Sequence, residues 1–112
     1  MSREITTAVN FTKKDMFNIV GADTLEKVKG KVLKVTGIAL GTDVSHDTGD
    51  IVPTGYIKDV DGNIYSTISP TAQQSIDMLG DILMDDPETA IDVKVDTKKS
   101  NAGRDFIVLK LV

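Results

Sequence analysis

The sequence contains no cysteine and no tryptophan. Without cysteine there is no disulfide framework, no zinc-thiolate site and no thiol nucleophile, which fits a reducing compartment such as the cytoplasm. Aromatic residues are scarce, two Tyr and three Phe in 112 residues, so little of the chain can offer a flat ring to a ligand. Histidine occurs once, at His46, and no second residue stands ready to orient it as a catalytic base. No stretch approaches the roughly 18 apolar residues of a membrane span, and the opening MSREITTAVN lacks the apolar core of a signal peptide. A nucleophile elbow, a phosphate loop and a G-x-G-x-x-G run are all missing. An enzyme is therefore the least expected class, and no cofactor is expected.

At 112 residues the chain reads as one domain, 1–112, with an N-terminal extension over 1–29. A content of 40% hydrophobic and 27% charged residues suits a soluble globular protein rather than a disordered one. The net charge of −4 runs against nucleic-acid binding in general, but a ligand feels the local field rather than the sum. Lysines gather at Lys27, Lys29, Lys31 and Lys34, and basic residues again at Lys98, Lys99 and Arg104; acids gather over 43–50 and 77–88.

Residues 1–10 are polar, and the first few are expected to be mobile. Residues 11–20 read as a short helix, with Thr12 as cap, Asp15 as its capping-box partner and Gly21 as stop. A further turn is expected from Asp23 or Thr24 to Val28. Strands follow at 31–40, 51–58 and 64–68, then a helix at 70–84 and strands at 90–96 and 104–112. Gly37 interrupts the first of these strands, where either a sharp bend or a bulge requires it. The loop over 41–50 carries Asp43, His46, Asp47 and Asp50, loose carboxylates around one imidazole that lack the frame of a metal site.

The turn Asp59-Val60-Asp61-Gly62 makes 51–68 a hairpin. Setting Ile57 against Ile64 places Tyr56 directly opposite Tyr65 on the other face, and Thr54 opposite Thr67. Ser69-Pro70 starts the helix as N-cap and first helical residue. Ala72, Ile76, Leu79 and Leu83 form its buried stripe. In the last two strands Ile91, Val93, Val95, Ile107, Leu109 and Leu111 face inward, which leaves Arg104, Phe106, Val108 and Lys110 on the opposite face.

Strand, strand, strand, helix, strand, strand is the element order of the OB-fold. The expected fold class is thus mainly β: a five-stranded Greek-key barrel with one helix between strands three and four and a short N-terminal helix. Such barrels hold single-stranded nucleic acid by stacking bases on aromatic rings and tracking phosphates with cations. The residues expected to do so are Tyr56 and Tyr65 on the hairpin face, Phe106 on the last strand, and Lys34, Lys58, Lys98, Lys99, Arg104 and Lys110. The same tyrosine face also suits a protein partner, because Tyr is common at interface hot spots. A phage-type protein-binding module (adaptor, structural component or host-defence inhibitor) is therefore the competing reading, and the acidic balance favours it.

The phrases Gly55-Tyr56-Ile57, Asp61-Gly62-Asn63-Ile64-Tyr65, Ser66-Thr67-Ile68-Ser69 and Gly103-Arg104-Asp105-Phe106 resemble those of small bacteriophage single-stranded-DNA-binding proteins. The resemblance covers about Gly30 to Val112. It implies a non-enzymatic replication accessory that coats exposed strands without sequence preference in the host cytoplasm, beside phage replication proteins. The bacterial proteins of this role carry a long acidic tail. This sequence ends instead in FIVLKLV, so no recruitment of repair partners through such a tail is expected. No residue dictates an oligomer, although an exposed edge strand permits self-pairing.

Overall fold

A computed structural model describes residues 4–44 and 48–112. The elements are strand β1 (Glu4–Val9), helix α1 (Lys13–Asn18), a 3-10 turn (Ile19–Gly21), strand β2 (Asp23–Thr24) and a second 3-10 turn (Leu25–Val28). Strands β3 (Val32–Val44), β4 (Ile51–Asp59) and β5 (Ile64–Thr67) come next. Helix α2 (Pro70–Asp85) then leads to β6 (Ile91–Lys99) and β7 (Asp105–Leu111).

One mixed sheet runs in the order β2-β5-β4-β3-β6-β7, with β1 added to β3, and it curls into a half-barrel. β3 is the organising strand. Its first residues, Val32 to Val35, pair with β6, and Val35 to Val44 pair with β4. The register with β4 shifts between Val35 and Gly37, so the glycine marks a bulge that lets the strand serve both halves of the curl. Glycine has a second reason here. A side chain at Gly37 would stand 2.5 Å from the carbonyl oxygen of Asn10, and one at Gly41 would collide with that of Glu4. β1 can therefore lie along β3 only because both positions lack a Cβ.

The concave side encloses the main core. Leu33, Val35, Ile38, Ile57, Val93, Val95 and Ile107 come from the strands, and Ala72, Ile76, Leu79 and Leu83 from α2. Each fully buried Leu or Ile contributes roughly 1.5–3 kcal/mol, so this layer supplies most of the driving force. The Ser69 hydroxyl caps α2 by accepting the Ala72 N–H at 3.3 Å, as Ser-Pro chemistry requires. It also donates to the carbonyl of Ile107 on β7 at 2.8 Å. β5 and β7 are not paired in the sheet, and this hydroxyl bridges the seam between them.

Several expectations need correction. The sheet has seven strands rather than five, because the N-terminal segment adds β1 and β2. Residues 4–9 read as polar tail, yet they pair with β3 from Thr42 to Ile38. Their hydrogen bonds are bought by the backbone and need little apolar alternation. β3 continues through 41–44, expected as loop, and β6 through 97–99, expected as connector. The turn between β6 and β7 occupies 100–104, closed by Ser100 N–H to the Arg104 carbonyl at 2.8 Å. Asp43 accepts the Val44 N–H, whereas His46 and Asp47 lie outside the described residues.

The β4–β5 hairpin differs by one residue from the expected register. Lys58 opposes Ile64, Ile57 opposes Tyr65, Tyr56 opposes Ser66 and Gly55 opposes Thr67. The turn decides this. The Asp59 carboxylate accepts the N–H groups of Asp61 and Asn63 at 3.0 and 2.9 Å, and the Asp59 N–H donates to the Asn63 carbonyl. That leaves a three-residue loop with Gly62 at φ 85°, the bulged hairpin that a glycine in the left-handed region favours. Both faces of this hairpin are covered, so hydrophobic alternation alone does not fix its register.

Candidate nucleic-acid interface

The convex side of the sheet has two walls. On the β4–β5 wall, Tyr56, Lys58, Ile64 and Ser66 share the outward face, joined by Ala39 across from Tyr56. This wall is not open. Ile5, Phe11, Ile19 and Ala22 of the N-terminal segment pack onto Ala39, Tyr56 and Ile64, and Tyr56 is 2% exposed. α1 is fixed there by its own start signal. The Thr12 hydroxyl accepts the Asp15 N–H at 3.1 Å, and the Asp15 carboxylate accepts the Thr12 N–H at 2.8 Å. The same carboxylate meets Lys58 Nζ at 2.6 Å, with the two side chains only 12% and 16% exposed. Burial alone would raise the Asp15 pKa. The Lys58 ammonium and the Thr12 N–H and hydroxyl outweigh it and hold the carboxyl below 3.8.

The tyrosines therefore do not lie side by side. Tyr56 is on the convex face and Tyr65 on the concave one, where it packs against the main core. Tyr65 is half-buried, and its pKa is raised, first by burial and then by the negative charges of Asp59, Asp23 and Asp61. Three carboxylates around the phenol make its surroundings unfavourable to a phosphate.

The β6–β7 wall keeps its lysines in solvent, although Val108 among them is buried. Alternation from the buried Val93, Val95 and Ile107 puts Lys94, Asp96, Lys98, Phe106, Val108 and Lys110 on its outer face. The facing pairs are Lys94 with Lys110, Asp96 with Val108 and Lys98 with Phe106. Lys34 joins the same face through its pairing with Asp92. Lys34 is bridged to Asp92 at 3.2 Å and Lys110 to Asp96 at 3.3 Å, all four side chains substantially solvated. Such exposed pairs contribute roughly 0–1 kcal/mol, so another anion can displace them readily. Asp96 is held below its ordinary pKa, chiefly by the Thr97 N–H and then by Lys110.

Phe106 stands half-buried at the lower end of this wall, where the seam opens. A cleft of about 450 Å³ runs between Thr24–Glu26, residues 66–70 and Asp105–Ile107. An adjoining one of about 310 Å³ is lined by Glu26, Lys29, Thr97 and residues 105–107. Phe106 borders both. Lys98, Lys99 and Arg104 are exposed on the hairpin that carries it.

Of the nine residues expected from sequence, Lys34, Lys98, Phe106 and Lys110 thus come together on one face, with Lys99 and Arg104 at its hairpin end. Tyr56 and Lys58 fall on the other, covered wall. Sequence reasoning missed Lys94, although its place between Val93 and Val95 had already put it on the outer face. It also missed Asp15 as the partner of Lys58, which no local pattern reveals across 43 positions.

A curled sheet with a basic outer face beside an aromatic ring is the build of a single-strand binder. A family model described as phage single-stranded DNA-binding protein, of the phi29 type, matches residues 4–112. The chain belongs to this family, and its function is the binding of single-stranded DNA in phage replication. No curated protein and no solved structure matches the chain.

Proposed function

We propose that the β6–β7 wall is where the single strand lies. In this reading Phe106 takes a base on its ring at the seam. Lys34, Lys94, Lys98 and Lys110 follow the phosphates, with Lys99 and Arg104 at the hairpin tip. The observation that carries it is the convergence of four lysines and the ring on one face of three adjacent strands, β3, β6 and β7. The acidic sum of the chain is no obstacle, because the acids of that face, Asp92 and Asp96, are held in solvated pairs that a phosphate can replace.

Tyr56 takes a packing role beneath the N-terminal segment, and Lys58 neutralises Asp15. Tyr65 packs against the main core on the concave side and offers no stacking face. The half-barrel acts as an OB-type unit whose last side is closed by Ser69 instead of a strand pair. Residues 1–112 work as one non-enzymatic domain with 1–29 as its extension, in the host cytoplasm and beside phage replication proteins.

The test is a titration of labelled oligo(dT) at several salt concentrations. Affinity falls steeply with salt, by about 0.7 in log–log slope for each phosphate met. Phe106→Ala weakens binding about tenfold, the range of one stacked base. Full affinity in both Phe106→Ala and a Lys94→Gln/Lys98→Gln variant overturns the assignment of this wall.

A further inference from the structure

We infer that α1 carries a second contact for single-stranded DNA, in which a base stacks on Phe17 while Lys13 and Lys14 take the neighbouring phosphates. This rests on the single-strand reading above but on a different part of the molecule. Phe17 is 79% exposed, and the other four aromatic residues are buried or half-buried. A phenylalanine facing water contributes little to folding, and nothing in the packing of α1 calls for a ring there.

The spacing makes a site of it. At about 100° per residue, Phe17 lies one turn after Lys13 and three residues after Lys14, so its side chain leaves the helix at an angle between theirs. The opposite side of the segment carries the buried Asp15 and Ile19, which seat it on the sheet. Asp15, the acid of this helix, is engaged by Lys58. Lys13 and Lys14 make no ion pair among the described residues. In a chain of net charge −4, this outer face of α1 carries positive charge alone.

The support is rigid as well. The capping box and the Asp15–Lys58 bridge fix α1 at both its start and its inner face, so little ordering is needed when a base arrives. The N-terminal segment thus covers one aromatic ring, Tyr56, and raises another in its place with lysines on either side. Met16 and Val20 extend the apolar surface, which by itself would suit a protein. Two unengaged lysines flanking the ring favour a polyanion with flat faces.

The experiment uses the full chain and labelled oligo(dT). Phe17→Ala weakens binding about tenfold, and its melting temperature stays that of the unaltered chain. Phe17→Leu keeps the bulk without the π-face and binds like Phe17→Ala. Phe17→Trp retains affinity and, in a chain without other tryptophan, its fluorescence is quenched by oligo(dT). Lys13→Gln with Lys14→Gln lowers the salt slope by about 1.4, the share of two phosphates on a single strand.

Unchanged affinity in Phe17→Ala, alongside weakened binding in Phe106→Ala, overturns this contact and leaves the β6–β7 reading standing. Full affinity in Phe17→Leu overturns stacking. A fall in oligomer mass in Phe17→Ala, with affinity per protomer unchanged, assigns the patch to a second copy and overturns it too. An unaltered chain that binds no oligo(dT) at low salt removes both readings together.

Discussion

The outer walls of β4–β5 and β6–β7 begin from similar material, strands with a lysine and an aromatic ring on their outward positions. They differ in what arrives on top. The β4–β5 wall receives Phe11, Ile19 and Ala22, buries Tyr56 and spends Lys58 on Asp15. The β6–β7 wall keeps Lys94 directly across from Lys110, a like-charge pairing that weakens a sheet. Stability alone explains the first wall. The second retains a small unfavourable arrangement, which the proposed seating of a phosphate there would relieve.

The sharpest way to break this comparison is to truncate one ring on each side. Tyr56→Ala should lower unfolding free energy by about 3–5 kcal/mol, as for a buried aromatic, measured by urea denaturation. Phe106→Ala should affect stability far less and lower oligo(dT) affinity. The contrast between the walls is lost if Tyr56→Ala leaves stability intact while abolishing binding.

Next in size is the clamp. Lys58→Met strands Asp15 in a poorly hydrated place and should cost about 2–3 kcal/mol, somewhat below the roughly 3–5 of a fully buried pair. The pH dependence has a definite sign. The folded pKa of Asp15 lies below 3.8, so its stabilisation is complete above that value and is lost as pH falls through the folded pKa. The stability difference between the unaltered chain and Asp15→Asn should be flat above about pH 5 and shrink in more acidic solution. A difference that grows on acidification contradicts the clamp.

Ser69→Ala removes a cap and leaves the Ile107 carbonyl without its partner, a loss of about 1–2 kcal/mol. The smallest expected effect is that of Lys94→Gln with Lys110→Gln. Stability should hold or rise by a few tenths of a kcal/mol, while the salt slope of oligo(dT) binding falls by about 1.4. A slope that does not move takes these lysines off the strand's path.

Much of this architecture was legible in the sequence because the signals are local. Ser69-Pro70 sets the start of α2, alternation sets β6 and β7, and Asp59 to Gly62 sets a turn. The element order of β3 to β7, with β3 pairing on both sides, follows from those signals. The site was legible only in part, for a physical reason. Alternation tells which residues share a face but not whether that face meets water. Tyr56 read as outward and is outward of the main core, yet another layer lies over it. That layer is held by Gly37 and Gly41, whose role is to admit backbone, and by an ion pair between residues far apart in sequence. Neither leaves a pattern in a single chain. The hairpin slip has the same origin, since a two-sided burial erases the contrast that normally sets register.

Ser69 has a consequence for how the molecule assembles. One hydroxyl both accepts a hydrogen bond from the first turn of α2 and donates one to β7, more than thirty positions along the chain. The local event of starting a helix and the distant event of bringing the last strand home share a single atom, so neither is complete without the other. Amide exchange at Ala72 should accordingly report the docking of β7, and the two regions should open as one cooperative unit.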